Sequence, residues 1–514
     1  MFSYSQVPAP YKDGDIVFAD SFKNEKVFKE RWSGAIGSCS LTEDGLKIVK
    51  GSAEKGNTGL IQISLPLERL RGAAFSVKAR VKGENVSSPA KPAIDSTRFL
   101  FMMKVNGTMM YNTVDLPTGT FDWRDVEMNV FVPDETNTVE GGTFKLGLDK
   151  STGTWWVRDV SITVSKAALP VDAAVSKGPR YKGHNLPALR GVTLPNKFTE
   201  QDYSDLAKWN VNCGRWNIGN WNGSRFPGGL AGKDFDALFD KEVANTDVIV
   251  KYAEKYGIYI VLCMGGSSPK FGLFDSPQNQ TKFIECWKRL AERYKNNKAV
   301  VMYDLANEPH ESEWKKENGV KTYDELMMAT ALAIREMDPV KCIAVETGVG
   351  GSNVRGFYTM KPFPASIPNV VYAPHMYAPM AVTHQGVYGS SEGVSYPGCI
   401  LDGVTWDKAQ LERSLKPAID FQKRYNVQMF IGEFGCVRWA PDGSAARWLA
   451  DAIEIFEKYN WDWSYHAFRE SDLWDPEYMD GTHDMTRPST PSGREKVLRG
   501  YFDKNQKPEW YKKN

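Results

Sequence analysis

Apolar and polar positions along the chain follow two different rhythms, and the change between them divides it at residues 167–188. Before that point short runs alternate strictly, at 45–50, 74–81, 99–105, 126–132, 144–148 and 155–164. Period-two alternation in pieces this short, separated by Gly, Asn, Asp and Pro, predicts the antiparallel strands of a jelly-roll-like β-sandwich over 1–166. Residues 167–188 hold Pro, Gly, Lys and small side chains without sustained periodicity and are expected to form a linker. From 189 onward apolar runs alternate with long amphipathic stretches. Strands are predicted at 190–194, 212–216, 258–264, 300–305, 342–346, 370–373, 429–431 and 461–465. Helices fall between them at 199–210, 241–256, 279–294, 323–336, 406–425, 445–459 and 493–502, and only the one after the fifth strand is poorly defined. Eight such units in roughly 320 residues predict a TIM (β/α)8 barrel over 189–514. A doubly wound open sheet fits less well, because no glycine-rich dinucleotide turn follows the first strand.

In a TIM barrel the C-terminal strand ends carry the chemistry, and two of these ends carry a glutamate. The run VMYDLANEPH breaks from apolar residues into Asn307-Glu308-Pro309, and VQMFIGEFGC places Glu433 at the end of the seventh strand. A lone strand-end glutamate often caps a helix or pairs with an arginine. Two of them, on strands that lie across the barrel mouth, can approach the ~5–5.5 Å that permits double displacement. Glu308 is then the acid/base and Glu433 the nucleophile, so their surroundings must split their pKa values. Arg215, in NCGRWNI, is a candidate to hold Glu433 anionic by a charge-assisted hydrogen bond. His375 and Tyr377 occupy alternate positions after strand six and so face one side, where the tyrosine hydroxyl can donate to the nucleophile.

Composition narrows the partners. Sixty-four basic and 63 acidic side chains nearly cancel, which disfavours nucleic acid and anionic membrane in favour of a neutral ligand. Aromatics reach 12%, with 16 Trp and 22 Tyr, enough to supply flat faces for stacking on sugar rings. Trp216, Trp221, Trp439 and Trp474 lie at or near strand ends, and Trp32, Tyr111, Trp123, Trp155 and Trp156 lie in the sandwich half. The seven cysteines show no CxxC pair and no metal-ligand spacing, so buried free thiols and no metal are expected. No run reaches the ~18–20 apolar residues of a membrane span. The opening MFSYSQVPAP has no charged and apolar leader, so the chain either stays inside the cell or has lost a signal peptide.

Taken together, Asp304–Pro309 with Asn307-Glu308-Pro309, His375-Met-Tyr377, Ile431-Gly-Glu433-Phe-Gly435 and the opening Leu189-Arg-Gly-Val192 resemble glycoside hydrolase family 5, the cellulase family of retaining TIM-barrel enzymes. The likeness covers about residues 185–510. It implies Glu308 as acid/base, Glu433 as nucleophile, and Arg215, Asn307, His375 and Tyr377 in support. Three positions depart from the family pattern. Cys263 stands where a histidine is frequent, Thr193 lies near an expected asparagine, and Trp463 and His466 compete for the place of a sugar-stacking tryptophan after strand eight. The resemblance implies an endo-β-1,4-glucanase or related hemicellulase that needs no cofactor, binds a polysaccharide or oligosaccharide, and works as a monomer. An exo-acting β-glucosidase or a β-mannanase on the same scaffold, and a non-catalytic glycan-binding protein, are the rivals. A polysaccharide substrate leads to the expectation of a secreted, periplasmic or cell-surface protein. The sandwich resembles a carbohydrate-binding module in strand rhythm alone, so glycan binding and a structural role both stay open for it.

Overall fold

In the N-terminal half, period-two alternation is realised as two antiparallel sheets that share one apolar interior. The computed structural model describes residues 10–51, 59–88, 97–105, 108–114, 116–133, 139–170, 173–178, 183–219, 225–265, 271–309, 319–349, 354–401 and 403–511. The chain divides into two units, Met1–Ala173 and Ala174–Asn514. One sheet of the first unit orders Cys39–Thr42, Gly45–Lys50, Gly153–Lys166, Ala74–Val86 and Gly119–Phe131, with Ile16–Asp20 also paired to Gly153–Lys166. The other orders Ser33–Gly34, Gly59–Ser64, Val139–Leu148, Thr97–Val105 and Thr108–Thr113. All six predicted strands are present. The five additional ones run only two to six residues, too short for alternation to stand out from the flanking loops.

Strand alternation turns Trp155 inward and Trp156 outward, and Trp32 enters the core from the end of the helix Glu25–Arg31. Trp32 and Trp155 are buried in the shared core, which removes them as stacking surfaces. Trp156 points the other way and lies between the ammonium groups of Lys47 and Lys82, while Arg158 covers Trp123 at 4.2 Å. Tyr111 is 62% exposed.

In the second unit eight parallel strands close into a barrel: β1 (Arg190–Thr193), β2 (Cys213–Ile218), β3 (Tyr259–Met264), β4 (Val300–Asp304), β5 (Cys342–Val345), β6 (Val370–Tyr372), β7 (Gln428–Ile431) and β8 (Asp462–Tyr465). Each pairs with its successor, and β8 pairs with β1 at Arg190 and Trp463 to complete the ring. Strands buried on both faces read as continuous apolar runs, which is why their positions are legible in the sequence. Inside the ring pack Cys213, Tyr259, Val261, Met302, Ala344, Val371 and Phe430. The opposite faces pack against the surrounding helices.

The helices form where caps and apolar spacing agree. Thr322 and Glu325 make a reciprocal capping box that starts Tyr323–Met337, and Ser276 caps Pro277–Tyr294 with proline in its first turn. The single helix predicted at 406–425 is instead two, Lys408–Ser414 and Lys416–Tyr425. Pro417 supplies no backbone donor and its ring crowds the carbonyl four residues back, so the first helix ends before it and the second starts around it. The fifth helix is a single turn, Gly356–Thr359. The segment expected to be a linker is partly built into the barrel. His184 Nε2 sits 2.9 Å from Asp462 Oδ2 of β8, and its backbone N–H donates to the Gln428 side-chain oxygen of β7 at 3.2 Å, so 183–188 closes the N-terminal end of the ring.

The connection after β6 is long, as its composition suggests, and it is ordered. It contains Met380–Thr383 and a hairpin of Cys399–Leu401 with Val404–Trp406. Buried Gln385 is its centre. The side-chain amide donates to the carbonyls of Val382 and Val394, its oxygen accepts from the N–H groups of Gly393 and Val394, and its own carbonyl accepts from the Trp439 indole. Thr383 of the same segment donates to the Tyr377 carbonyl at 2.6 Å.

Phe144 lies at the centre of the sandwich, edge-on to Phe99 at 5.0 Å and next to Trp32 at 6.3 Å. Phe144→Ala is expected to destabilise the N-terminal unit by about 3–5 kcal/mol, the usual cost of an aromatic cavity. Urea unfolding monitored by tryptophan fluorescence measures this, and a loss below about 1 kcal/mol would contradict the packing described.

Candidate active site

Inward positions at the C-terminal strand ends converge on one buried guanidinium. Arg215 is fully buried in β2, and its neighbour Trp216 faces out, donating to Thr246 among the helices. Arg215 Nε donates to Asp304 Oδ2 at 2.8 Å, Nη1 to Glu433 Oε1 at 2.8 Å, and Nη2 to Asn307 Oδ1 at 2.9 Å. Nη2 also lies 3.3 Å from Glu346 Oε1 and 3.1 Å from Cys263 Sγ. One planar cation therefore ties together the ends of β2, β3, β4, β5 and β7. A buried charge costs several kcal/mol unless it is matched this completely.

Glu433 accepts from Arg215 through one oxygen and from the Tyr377 hydroxyl at 3.0 Å through the other. Burial pushes its pKa up, but His375, His466, Arg215 and the Tyr377 hydrogen bond outweigh burial and hold it at about 2. Burial and the Glu433 charge push the Tyr377 hydroxyl well above its usual range, so it stays a neutral donor. Gly432 precedes Glu433 because any side chain there would strike His375, whose Nε2 lies 2.8 Å from where a Cβ would sit.

Glu308 stands beside the same His375 nitrogen that Glu433 approaches. His375 Nδ1 is 2.9 Å from Glu308 Oε1 and 3.7 Å from Glu433 Oε2, and Nε2 is 3.1 Å from Glu346 Oε1 but out of line for a good hydrogen bond. Burial alone would lower the imidazole pKa, yet the surrounding Glu346, Glu433 and Glu308 raise it well above the ordinary value. Glu308, His375 and Glu433 each bring one polar atom within 4.8 Å of the others. A ring whose two nitrogens both face carboxylates and hold protons is an ion-pair partner and a poor metal ligand. Glu308 differs from Glu433 in exposure, 29% against 8% for the side chain, and in backbone, with φ at +44°. That left-handed conformation is strained for a non-glycine residue, and strain of this kind concentrates at functional sites.

The structure thus brings together Arg215, Asn307, Glu308, His375, Tyr377 and Glu433, with His466 Nδ1 3.9 Å from Glu433 Oε2. Trp463 is not brought there. Asp462, Ser464 and His466 take the inward positions of β8, and alternation turns Trp463 outward against Phe434 and Phe502 with its indole donating to Glu457. His466 therefore holds the place for which the two competed. Trp474 reaches the site as well, 5.3 Å from the His466 ring and 5.2 Å from His384. Trp439 instead stacks on His483 at 4.3 Å, and Trp221 lies outside the described residues.

Three participants escaped the sequence reading. Asp304 is a fully buried acceptor for Arg215. Burial of His384, together with the charge of His466, lowers its pKa to about 4, leaving it neutral. Glu346, the residue after β5, is fully buried, and burial raises its carboxyl to about 7 against the pull of His375 and Arg215. The signal for Glu346 was present, since it ends an apolar run as Glu308 and Glu433 do. Several buried polar atoms at the same strand ends have no hydrogen-bond partner among the described residues: Thr193 Oγ1, Asn217 Oδ1 and Nδ2, His466 Nδ1 and Trp474 Nε1. Such atoms are rare in folded proteins and are satisfied when a polar ligand occupies the space they face.

Residues 175–471, more than half of the chain and every member of the cluster, match the family model described as Cellulase (glycosyl hydrolase family 5). Endoglucanase C of Acetivibrio thermocellus is 28% identical over 250 residues, covering 42% of this chain and 69% of that protein. Cellodextrinase A of Ruminococcus flavefaciens is 21% identical over 274 residues, covering 52% and 77%. The solved endoglucanase Cel5A of the hyperthermophilic Thermotoga maritima is 22% identical, with a TM-score of 0.48 over 60% of this chain and 96% of that one. With a closed eight-stranded barrel and the family match over it, the chain belongs to glycosyl hydrolase family 5, the cellulase family, and is a glycoside hydrolase.

Proposed function

We propose that this protein is a retaining endo-β-1,4-glucanase in which Glu433 is the nucleophile and Glu308 the acid/base. The observation that carries the reading is that one carboxyl oxygen of each glutamate lies within 4.8 Å of the other, in unlike surroundings. That separation suits direct attack, whereas inversion needs about 6.5–9.5 Å to admit a water between the pair.

In the first step a Glu433 oxygen attacks the anomeric carbon, the bond to the leaving oxygen breaks, and the Glu308 proton moves to that oxygen. In the second, Glu308 takes a proton from water, the water oxygen bonds to the anomeric carbon, and the bond to Glu433 breaks. Arg215 and Tyr377 keep Glu433 ionised and fix both of its oxygens. Because Arg215 occupies the Asn307 carbonyl oxygen, the amide nitrogen is left to donate to a hydroxyl beside the reacting carbon. The names of the relatives, two of which are endoglucanases, support a β-glucan substrate, and a polymeric substrate implies action outside the cytoplasm.

Glu308→Ala and Glu433→Ala should each lower turnover on an aryl β-glycoside by about 10²-fold or more with the fold retained by circular dichroism, since a positioned acid or base alone contributes about 10²–10⁴-fold. Near-normal activity in either variant overturns the assignment. On carboxymethylcellulose, viscosity should fall faster than reducing ends appear, and release of only short sugars would indicate exo action instead. Activity confined to mannan would move the substrate to a different hexose.

The charge state of Glu433 also predicts a pH effect on stability. Its folded-state pKa, about 2, lies below the ordinary 4.5. The group therefore adds stability that is complete above 4.5 and is lost as pH falls toward 2. The difference in thermal midpoint between the wild type and Glu433→Gln should shrink across that window, and a difference that stays constant from pH 5 to 2 would contradict the environment described.

A further inference from the structure

Glu346 touches Glu308 by two routes. Its Oε2 accepts the backbone N–H of Glu308 at 2.8 Å, and its Oε1 lies 3.1 Å from His375 Nε2, while His375 Nδ1 lies 2.9 Å from Glu308 Oε1. The first contact holds the backbone amide of a residue whose φ is +44°, a conformation that persists only when its surroundings over-determine it. The second sets a buried carboxyl 3.1 Å from the ring on which the Glu308 carboxyl rests, an ion-pair contact out of line for a hydrogen bond. Glu346 is itself immobilised: its side chain is fully buried, Arg215 Nη2 lies 3.3 Å from Oε1, and its carbonyl accepts from Tyr323 at 2.7 Å.

We propose that Glu346 is the positioning residue of the acid/base: it holds the backbone of Glu308 from one side and, through His375, the carboxyl from the other, so that the proton of Glu308 is aimed at the departing oxygen. The proposal rests on Glu308 being the acid/base. Glu346 does not reach the reacting atoms itself, and toward Glu433 it acts only through Arg215, which Asp304 and Asn307 hold more closely at 2.8 and 2.9 Å, while Tyr377 holds the second oxygen of Glu433. Its loss therefore acts on leaving-group protonation and spares nucleophilic attack.

The test is the dependence of rate on the leaving group. Glu346→Gln keeps the shape and removes the charge. It is expected to lower the rate of glycosyl transfer to the enzyme by about 100-fold on a cello-oligosaccharide or alkyl β-cellobioside, the scale of loss for a group misplaced by about 1 Å. On dinitrophenyl β-cellobioside, whose leaving group needs no proton, the burst of dinitrophenol should change by less than about threefold. Equal losses on both substrates would mark Glu346 as merely structural, and no loss on either would remove it from the mechanism. Should Glu346→Gln fail to fold, Glu346→Asp keeps the charge but withdraws the carboxyl by one carbon, and must show the same unequal losses. Glu308→Ala run alongside separates the two readings: if it too shows no leaving-group dependence, the acid/base assignment has failed, whereas unequal losses there with equal losses in Glu346→Gln overturn this proposal alone.

Discussion

The Arg215 guanidinium is the interaction on which the active end of the barrel depends. It is a cation with no access to water, surrounded by Asp304, Glu346, Glu433 and Asn307 from three other strands. In a medium of low polarizability such a charge must be answered from several directions at once. The strand ends that answer it are thereby fixed relative to one another. The placement of Glu433 opposite Asn307, the neighbour of Glu308, follows from satisfying one arginine.

The same charge sets the division of labour. Glu433 lies among donors and cations and stays ionised, while Glu308 keeps more contact with solvent and rests on an imidazole shared with Glu346. Two identical side chains acquire different surroundings because their neighbours differ, as the proposed roles of acid and nucleophile require.

Much of this was legible in the sequence for definite reasons. Parallel strands covered on both sides are largely apolar, so all eight were visible, and the glutamates showed as interruptions of that pattern. The two-residue period of a strand also decides between Trp463 and His466, but only once the register of β8 is anchored by Asp462, which closes the bottom of the ring with His184 and Gln428. Without that anchor either residue fits the slot. The break before Pro417 was readable from proline chemistry alone and was overridden by a long amphipathic pattern. Glu346 interrupts its apolar run as Glu308 and Glu433 do, but its role comes from Glu308 and His375, partners distant in sequence, and no local pattern encodes that contact.

The Gln385 amide makes the excursion after β6 nearly self-contained, since it ties both edges of that segment to each other and leaves Thr383 to hold Tyr377. Such an arrangement separates what can be varied from what cannot. The hairpin of Cys399–Leu401 with Val404–Trp406 offers a place to graft longer sequences that reshape the approach of a polymer, while the amide-bound base of the segment insulates the tyrosine from whatever is attached.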